Sequence, residues 1–337
     1  MLRRPGSVRP AKYAVLSALI LTALVCAWQT AGQVPAAADA KPLFSVADGE
    51  LSSQLTWIVY GDMRFTDPAE TTATNPVVRK WLVDRIAEER PAAVLLSGDV
   101  PWHGGISADY VQYRLETEPW RNAKIRVFPA LGNHELNGPN PAECLNNWWS
   151  AFPELRGHRW YSVRLGSRLA ILNLDSNSPL LPESEQQRWI AAQLAGLPAS
   201  VKFVLFNLHH PPVADIQPLG DADHNPRANE MALATMLAKS PLRGRLRFIV
   251  CAGHIHNYER FLRDDITYLV SGGAGARPRP IQRGQDDLYQ DPAEANYHYV
   301  KFVLHGSVID AQMVRVADPA APRPAWEVKD TFKIAAR

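Results

Sequence analysis

The chain predicts an α/β fold, a sandwich of two mixed sheets with helices on the outside. Three observations predict it. Short apolar, β-branched runs alternate with helical patterns through most of the sequence, the pattern changes to a β hairpin after Tyr297, and several early runs end in similar polar words. With 337 residues, 46% hydrophobic and 21% charged, the chain can bury a large core.

The strand-like runs are 55–60, 93–97, 125–130, 160–164, 169–174, 202–207, 247–252 and 267–271. Most are apolar throughout, which suits strands covered on both faces. Helical patterns fill 75–90, 108–116, 183–197 and 228–239. The first opens on Asn75-Pro76, a cap followed by proline in the first turn, and sets Val78, Trp81, Leu82 and Ile86 at helical spacing. Segments 299–304 and 308–316, separated by a turn at Gly306, form the antiparallel pair. Residues 318–324 are a Pro/Ala-rich connector, and 326–334 adds an edge strand. The chain thus divides into 1–40, a main domain at 41–317, and a tail at 318–337.

The first forty residues differ from the rest. Arg3, Arg4, Arg9 and Lys12 precede an apolar run from Ala14 to Trp28, and small residues follow at 36–40. That order is a secretory signal peptide, which predicts an exported, periplasmic or extracellular protein. The run is shorter than the ~20 residues that span a bilayer, so a membrane anchor arises only if the segment stays uncleaved. Without it, 32 basic and 33 acidic residues remain, a net charge of −1. That balance excludes a general nucleic-acid-binding surface. Cys144 reads as a loop residue and Cys251 as a buried strand thiol, with a disulfide between them left open.

Five words end strand-like runs in order: Gly61-Asp62, Gly98-Asp99, Gly132-Asn133-His134-Glu135, His209-His210-Pro211-Pro212 and Gly253-His254-Ile255-His256. In open α/β sheets ligands sit beyond the carboxyl ends of strands, where these words fall. Carboxylate, amide oxygen and imidazole are the donor set of hard-to-borderline divalent cations. Together they predict a metal-centred hydrolytic site.

In order and wording these stretches resemble the calcineurin-like metallophosphoesterase family, from about Trp57 to Gly275. The stretch from Gly253 to Arg260, followed by Ser271 to Gly275, is similar to the purple acid phosphatase branch. The resemblance implies a calcineurin-like β-sandwich of two mixed sheets flanked by helices, holding two divalent metal ions. Asp62 and His256 would serve the first ion, Asp99 would bridge both, and Asn133, His209 and His254 would complete the second. Two divalent ions against two carboxylates leave about +2 of charge for a hydroxide and a phosphate anion. Mn, Zn, Fe, Mg and Ca are not distinguished. His134 is the implied general acid, Glu135 an orienting carboxylate, and His210 lies behind the ligands or against the substrate.

Two positions depart from the family's pattern, and both would serve the first ion. Arg64 stands where most members have histidine in Asp-x-His, and Trp102 stands where purple acid phosphatases have tyrosine. Arg64 either faces the substrate phosphate or turns away into a surface ion pair. His103 is a further candidate for substrate contact. Segments 136–149, 213–229 and 274–296 should surround the mouth, carrying Trp148, Trp149, His224, Arg227, Arg277, Arg279 and Arg283. His158, His224, His298 and His305 fit no word and read as solvated or locally satisfied.

The functional expectation is an exported metal-dependent phosphoesterase cleaving a small phosphorylated substrate. A metal-bound hydroxide would hydrolyse a phosphomonoester at the two-metal site. The alternatives are a phosphodiesterase, cyclic nucleotides included, and a non-catalytic phosphate- or partner-binding protein with a degenerate first metal site.

Overall fold

The computed structural model describes residues 41–217, 224–291 and 296–337. The leader read in residues 1–40 lies outside them. The strands are β1 (Phe44–Val46), β2 (Leu55–Tyr60), β3 (Ala93–Leu96), β4 (Arg126–Pro129), β5 (Tyr161–Leu165), β6 (Leu169–Asn173), β7 (Phe203–Asn207), β8 (Arg247–Ala252), β9 (Tyr258–Arg263), β10 (Ile266–Ser271), β11 (His298–His305), β12 (Val308–Val316) and β13 (Trp326–Ala335). The helices are α1 (Pro76–Glu89), α2 (Ser107–Glu116), α3 (Glu118–Asn122), α4 (Pro141–Ala151), α5 (Glu185–Ala195) and α6 (Ala228–Lys239).

The strands form two mixed sheets, ordered β1-β5-β6-β7-β8-β10-β9 and β13-β12-β11-β2-β3-β4. The parallel runs β2-β3-β4 and β6-β7-β8-β10 lie inside them. Their period of two divides the core. Phe203 and Leu205 of β7 face the layer between the sheets. Val204 and Phe206 face outward, where Ile190 and Leu194 of α5 and Leu233 and Leu237 of α6 cover them. Trp57 on β2 stacks on its register partner Phe302 of β11, with ring centroids 5.2 Å apart.

Local rules account for most boundaries. Asn75 accepts from Val78 N at 3.2 Å ahead of Pro76, opening α1 as its sequence predicts. Asn140 repeats that device at α4, which occupies a stretch read as an open loop. Asn146 and Asn147 weaken its helical signature, and buried Trp148 and Cys144 supply the packing that overrides them. Trp148 therefore belongs to the core, not the mouth. Cys144 and Cys251 are both buried and free, so the disulfide left open by the sequence does not form. Strand β9 also escaped the sequence reading, because its alternation includes Glu259, Arg260 and Arg263 at a sheet edge. Arg260 pairs with Asp330 of β13 at 2.6 Å, and Tyr258 Oη donates to the same carboxylate, tying the two sheets together.

At the carboxyl ends the sheets meet through a polar seam. Ser97 Oγ donates to Asn207 Oδ1 at 2.7 Å, while Asn207 Nδ2 donates to Leu96 O at 3.1 Å and Asn173 Oδ1 at 2.8 Å. All three side chains are buried. Removing one leaves partners without hydrogen bonds in a dry interior. Asn207→Ala is expected to cost about 2–4 kcal/mol of stability, read from denaturant unfolding; an unchanged midpoint would contradict the seam's role.

Candidate metal centre

Each polar word follows a parallel strand, and the chain must turn sharply to present it. Asp62, Asp99 and His254 adopt left-handed backbone, at φ 66°, 55° and 71°. Side-chain-bearing residues take that conformation at a cost, and such strain concentrates at functional sites. Gly98 precedes Asp99 at φ 83°, a left-handed pair that suits glycine in the first position. A Cβ on Gly132 would lie 2.3 Å from Asp99 Oδ1, so only glycine lets this loop approach the carboxylate. Backbone bonds from Asp62 N to Gly98 O, Arg64 N to Asp99 O and Gly253 N to His209 O lock the turns to one another.

The donors converge. Asp99 Oδ1 lies 3.2 Å from His209 Nε2, Asn133 Oδ1 2.9 Å from it, and His254 Nδ1 3.2 Å from it. His209 Nδ1–H donates to Ser97 O at 2.8 Å, which leaves a lone pair on Nε2 pointing at those acceptors. His256 is arranged likewise. Its Nδ1–H donates to Arg277 O at 2.9 Å, and its Nε2 stands 3.7 Å from Asp62 Oδ1. Among the described residues both of these last atoms are buried without a hydrogen-bond partner. Asp62, Asp99 and His209 also bring ligand atoms within 4.8 Å of one another.

Charge gives the same result. Asp62 and Asp99 are fully buried. Burial, then the neighbouring Asp99, pushes the Asp62 carboxyl well above the usual range. Burial also acts upward on Asp99, but His209, His134 and Arg64 together hold it below that range. Burial keeps His209 and His256 neutral, with their lone pairs available. Two adjacent carboxylates facing unprotonated imidazoles repel one another unless a cation lies between them. The donor set and the orphaned atoms fit divalent metal ions.

Arg64 turns inward, which removes the surface-ion-pair alternative. Its Nη2 is 3.0 Å from His134 Nε2 and 3.5 Å from Asp99 Oδ2, and its guanidinium lies over the Trp102 ring at 4.7 Å. Trp102 stacks on His134 at 4.6 Å, and its carbonyl accepts His134 Nδ1–H at 2.6 Å. Buried Arg79 donates to Arg64 O at 2.9 Å and so fixes the loop. Glu135 orients backbone instead of a histidine, accepting from Asp99 N, Val100 N and Gly132 N at 2.6–3.0 Å. His210 joins the cluster, its ring 4.4 Å from that of His254. His103 does not; it meets Trp102 edge-on and lies 3.9 Å from Asp109.

Two contributions were missed in the sequence. Asp175-Ser176-Asn177 follows β6 as the words follow their strands, with Ser176 Oγ 2.8 Å from His210 Nδ1. Its position after an apolar run was the available signal. His224 is buried, and its ring stacks on His254 at 4.9 Å with Arg279 Nη1 3.4 Å from its Nδ1. The sequence set it among the residues around the mouth, solvated or locally satisfied, without a part in the ligand cluster; the structure places it against His254. The guanidinium groups of Arg277 and Arg283 are engaged elsewhere, with Thr71 O and Asp287, while Arg227 pairs with Glu230 and donates to Ser176 O.

Fold and site together define a metal-binding α/β sandwich of the phosphoesterase kind. Residues 58–258 match the family model for calcineurin-like phosphoesterases, and the chain belongs to that family. No curated protein sequence matches it. Among solved structures it is similar to a purple acid phosphatase from yellow lupin (Lupinus luteus) seeds, with 19% identity over 88% of this chain and a TM-score of 0.67. The chain spans 55% of that protein's length. PhoD is 12% identical over 88% of this chain and 71% of its own, at a TM-score of 0.57. A dimetal phosphatase from Danio rerio is 14% identical over 86% of this chain and 100% of its own, at a TM-score of 0.51. At these identities the likeness establishes the fold.

A cation that binds only the folded state stabilises it by about 2.7 kcal/mol at a hundredfold excess over Kd. Manganese or zinc added to chelator-stripped protein is expected to raise the thermal midpoint, and Gly132→Ala to abolish most of that rise by displacing Asp99. Thermal unfolding with and without the ion checks this, and an equal rise in the variant would contradict it.

Proposed function

We propose that this chain is an exported phosphomonoesterase working through two divalent cations. Asp62, Asp99 and His256 would hold the first, and Asp99, Asn133, His209 and His254 the second. The observation that carries this reading is the pair of buried, unpartnered atoms Asp62 Oδ1 and His256 Nε2 beside the acceptors gathered at His209 Nε2. Bound there, the ions supply Lewis acidity that holds phosphoryl oxygens and acidifies water. The donor set accommodates Mn, Zn, Fe, Mg or Ca.

The chain's own residues position the substrate. Arg64 brings a permanent positive charge on Nη2 beside Asp99, where an anionic phosphoryl group would dock. Nη2 donates to His134 Nε2, so the imidazole is an acceptor there. A phosphate that draws Arg64 away frees Nε2 to take up a proton from water and pass it to the departing oxygen, returning the ring to its neutral form. Nδ1–H stays committed to Trp102 O, which fixes Nε2 as the atom that carries that proton.

A small phosphorylated substrate suits this arrangement. Preference for monoesters is supported by the likeness of Gly253–Arg260 to the purple acid phosphatase branch and by the lupin phosphatase's fold. Export is supported by the charged, apolar and small-residue order of residues 1–40. Membrane attachment follows only if that segment is retained.

Turnover of p-nitrophenyl phosphate is expected to exceed that of its bis ester under at least one of the five metals, and chelation to abolish it. Saturable phosphate binding without turnover under any of them would favour the non-catalytic alternative. Arg64→Ala is expected to weaken inhibition by inorganic phosphate about tenfold or more. His134→Gln is expected to lower kcat by about 10² to 10⁴ at unchanged metal content; equal kcat would remove it from the chemistry.

A further inference from the structure

The histidine after His209 presents a choice. His209, His210 and His254 bring ring nitrogens within 4.8 Å of one another, as three ligands of one cation would. Hydrogen bonding around His210 points elsewhere. Its Nδ1 lies 2.8 Å from Ser176 Oγ, and the same oxygen accepts the backbone N–H of His210 at 3.1 Å. A hydroxyl has one proton, and among the described residues His210 Nδ1 is the acceptor it meets. Donation from Ser176 leaves Nδ1 unprotonated and puts the ring proton on Nε2.

Ser176 is not free to rearrange. It is buried behind β6, and its carbonyl accepts from Arg227 Nη2 at 2.9 Å and Asn229 Nδ2 at 3.2 Å. Asp175 before it pairs with Arg159 at 2.6 Å, and Asp175 N donates to Gln186 Oε1 at 2.8 Å. Among the described residues His210 Nε2 has no hydrogen-bond partner, and its ring stands beside that of His254.

We infer that Ser176 is a positioning residue that fixes the proton of His210 on Nε2, and that this N–H donates a hydrogen bond to a non-bridging phosphoryl oxygen instead of ligating a cation. A cation needs a ring lone pair. The one at Nδ1 is used by Ser176, and Nε2 carries hydrogen. Neutral Nε2–H adds a directional donor beside His254. The inference rests on the phosphoesterase reading for the identity of the acceptor; the tautomer does not.

Two measurements separate these parts. In histidine-¹⁵N-labelled protein without added metal, long-range ¹H–¹⁵N correlations, assigned by their loss in His210→Gln, are expected to show Nδ1 unprotonated and Nε2 protonated. Ser176→Ala is expected to lose that preference. In manganese-loaded protein, calorimetric titration of inorganic phosphate is expected to show affinity weakened about tenfold or more in His210→Asn. His210→Gln, whose amide places N–H near the Nε2 position, is expected to stay within about threefold of wild type. Manganese content should be unchanged in both. An Nδ1–H tautomer in the wild type, loss of manganese in His210→Gln, or undiminished phosphate affinity in His210→Asn would overturn the inference. Were these results as expected but no ester hydrolysed, the catalytic reading would fail while the donor assignment stood.

Discussion

Two buried carboxylates, Asp62 and Asp99, stand side by side with unprotonated imidazoles and an amide oxygen aimed at the same space. This concentration of acceptors is the constraint on which the site depends. In an interior of low dielectric, such an arrangement is expensive unless positive charge compensates it. Arg64 provides part of the compensation from one side, at 3.5 Å from Asp99. A metal ion suits the remainder, because Asp62 Oδ1 and His256 Nε2 meet no donor among the described residues.

The fold keeps those groups from relaxing apart. Asp62, Asp99 and His254 are held in left-handed backbone by bonds between neighbouring loops, while Glu135 clamps three amides of the second and third words. Below them the Ser97–Asn207–Asn173 seam joins the sheets at the same end. The strain at the turns is therefore borne by the core and by a seam that also reaches the site, since the Ser97 carbonyl holds His209 Nδ1–H. This is the usual relation of a strained site to its scaffold.

Much of this was legible in the sequence, and what was not has physical reasons. The five words could be read because each follows an apolar strand; four combine glycine with a ligating side chain, and His209-His210 stands before two prolines. Asp175-Ser176 has no glycine or histidine, and its part emerges only through contact with His210. His224 lies fifteen positions beyond His209, and a long connection brings it onto His254; sequence spacing carries no trace of that stacking. The direction of Arg64 was undecidable until the Trp102 ring and the Arg79 bond to its carbonyl were seen. Helix α4 was hidden by asparagines that tertiary burial of Trp148 overrides, and β9 by charges suited to an edge.

Anomalous diffraction at the metal edge, from crystals grown with manganese, tests the central claim most directly. Two peaks per chain are predicted, one in contact with His209 Nε2, Asp99 and Asn133, the other with Asp62 Oδ1 and His256 Nε2. A map with no peak at these atoms, while manganese is bound elsewhere on the chain, would contradict it.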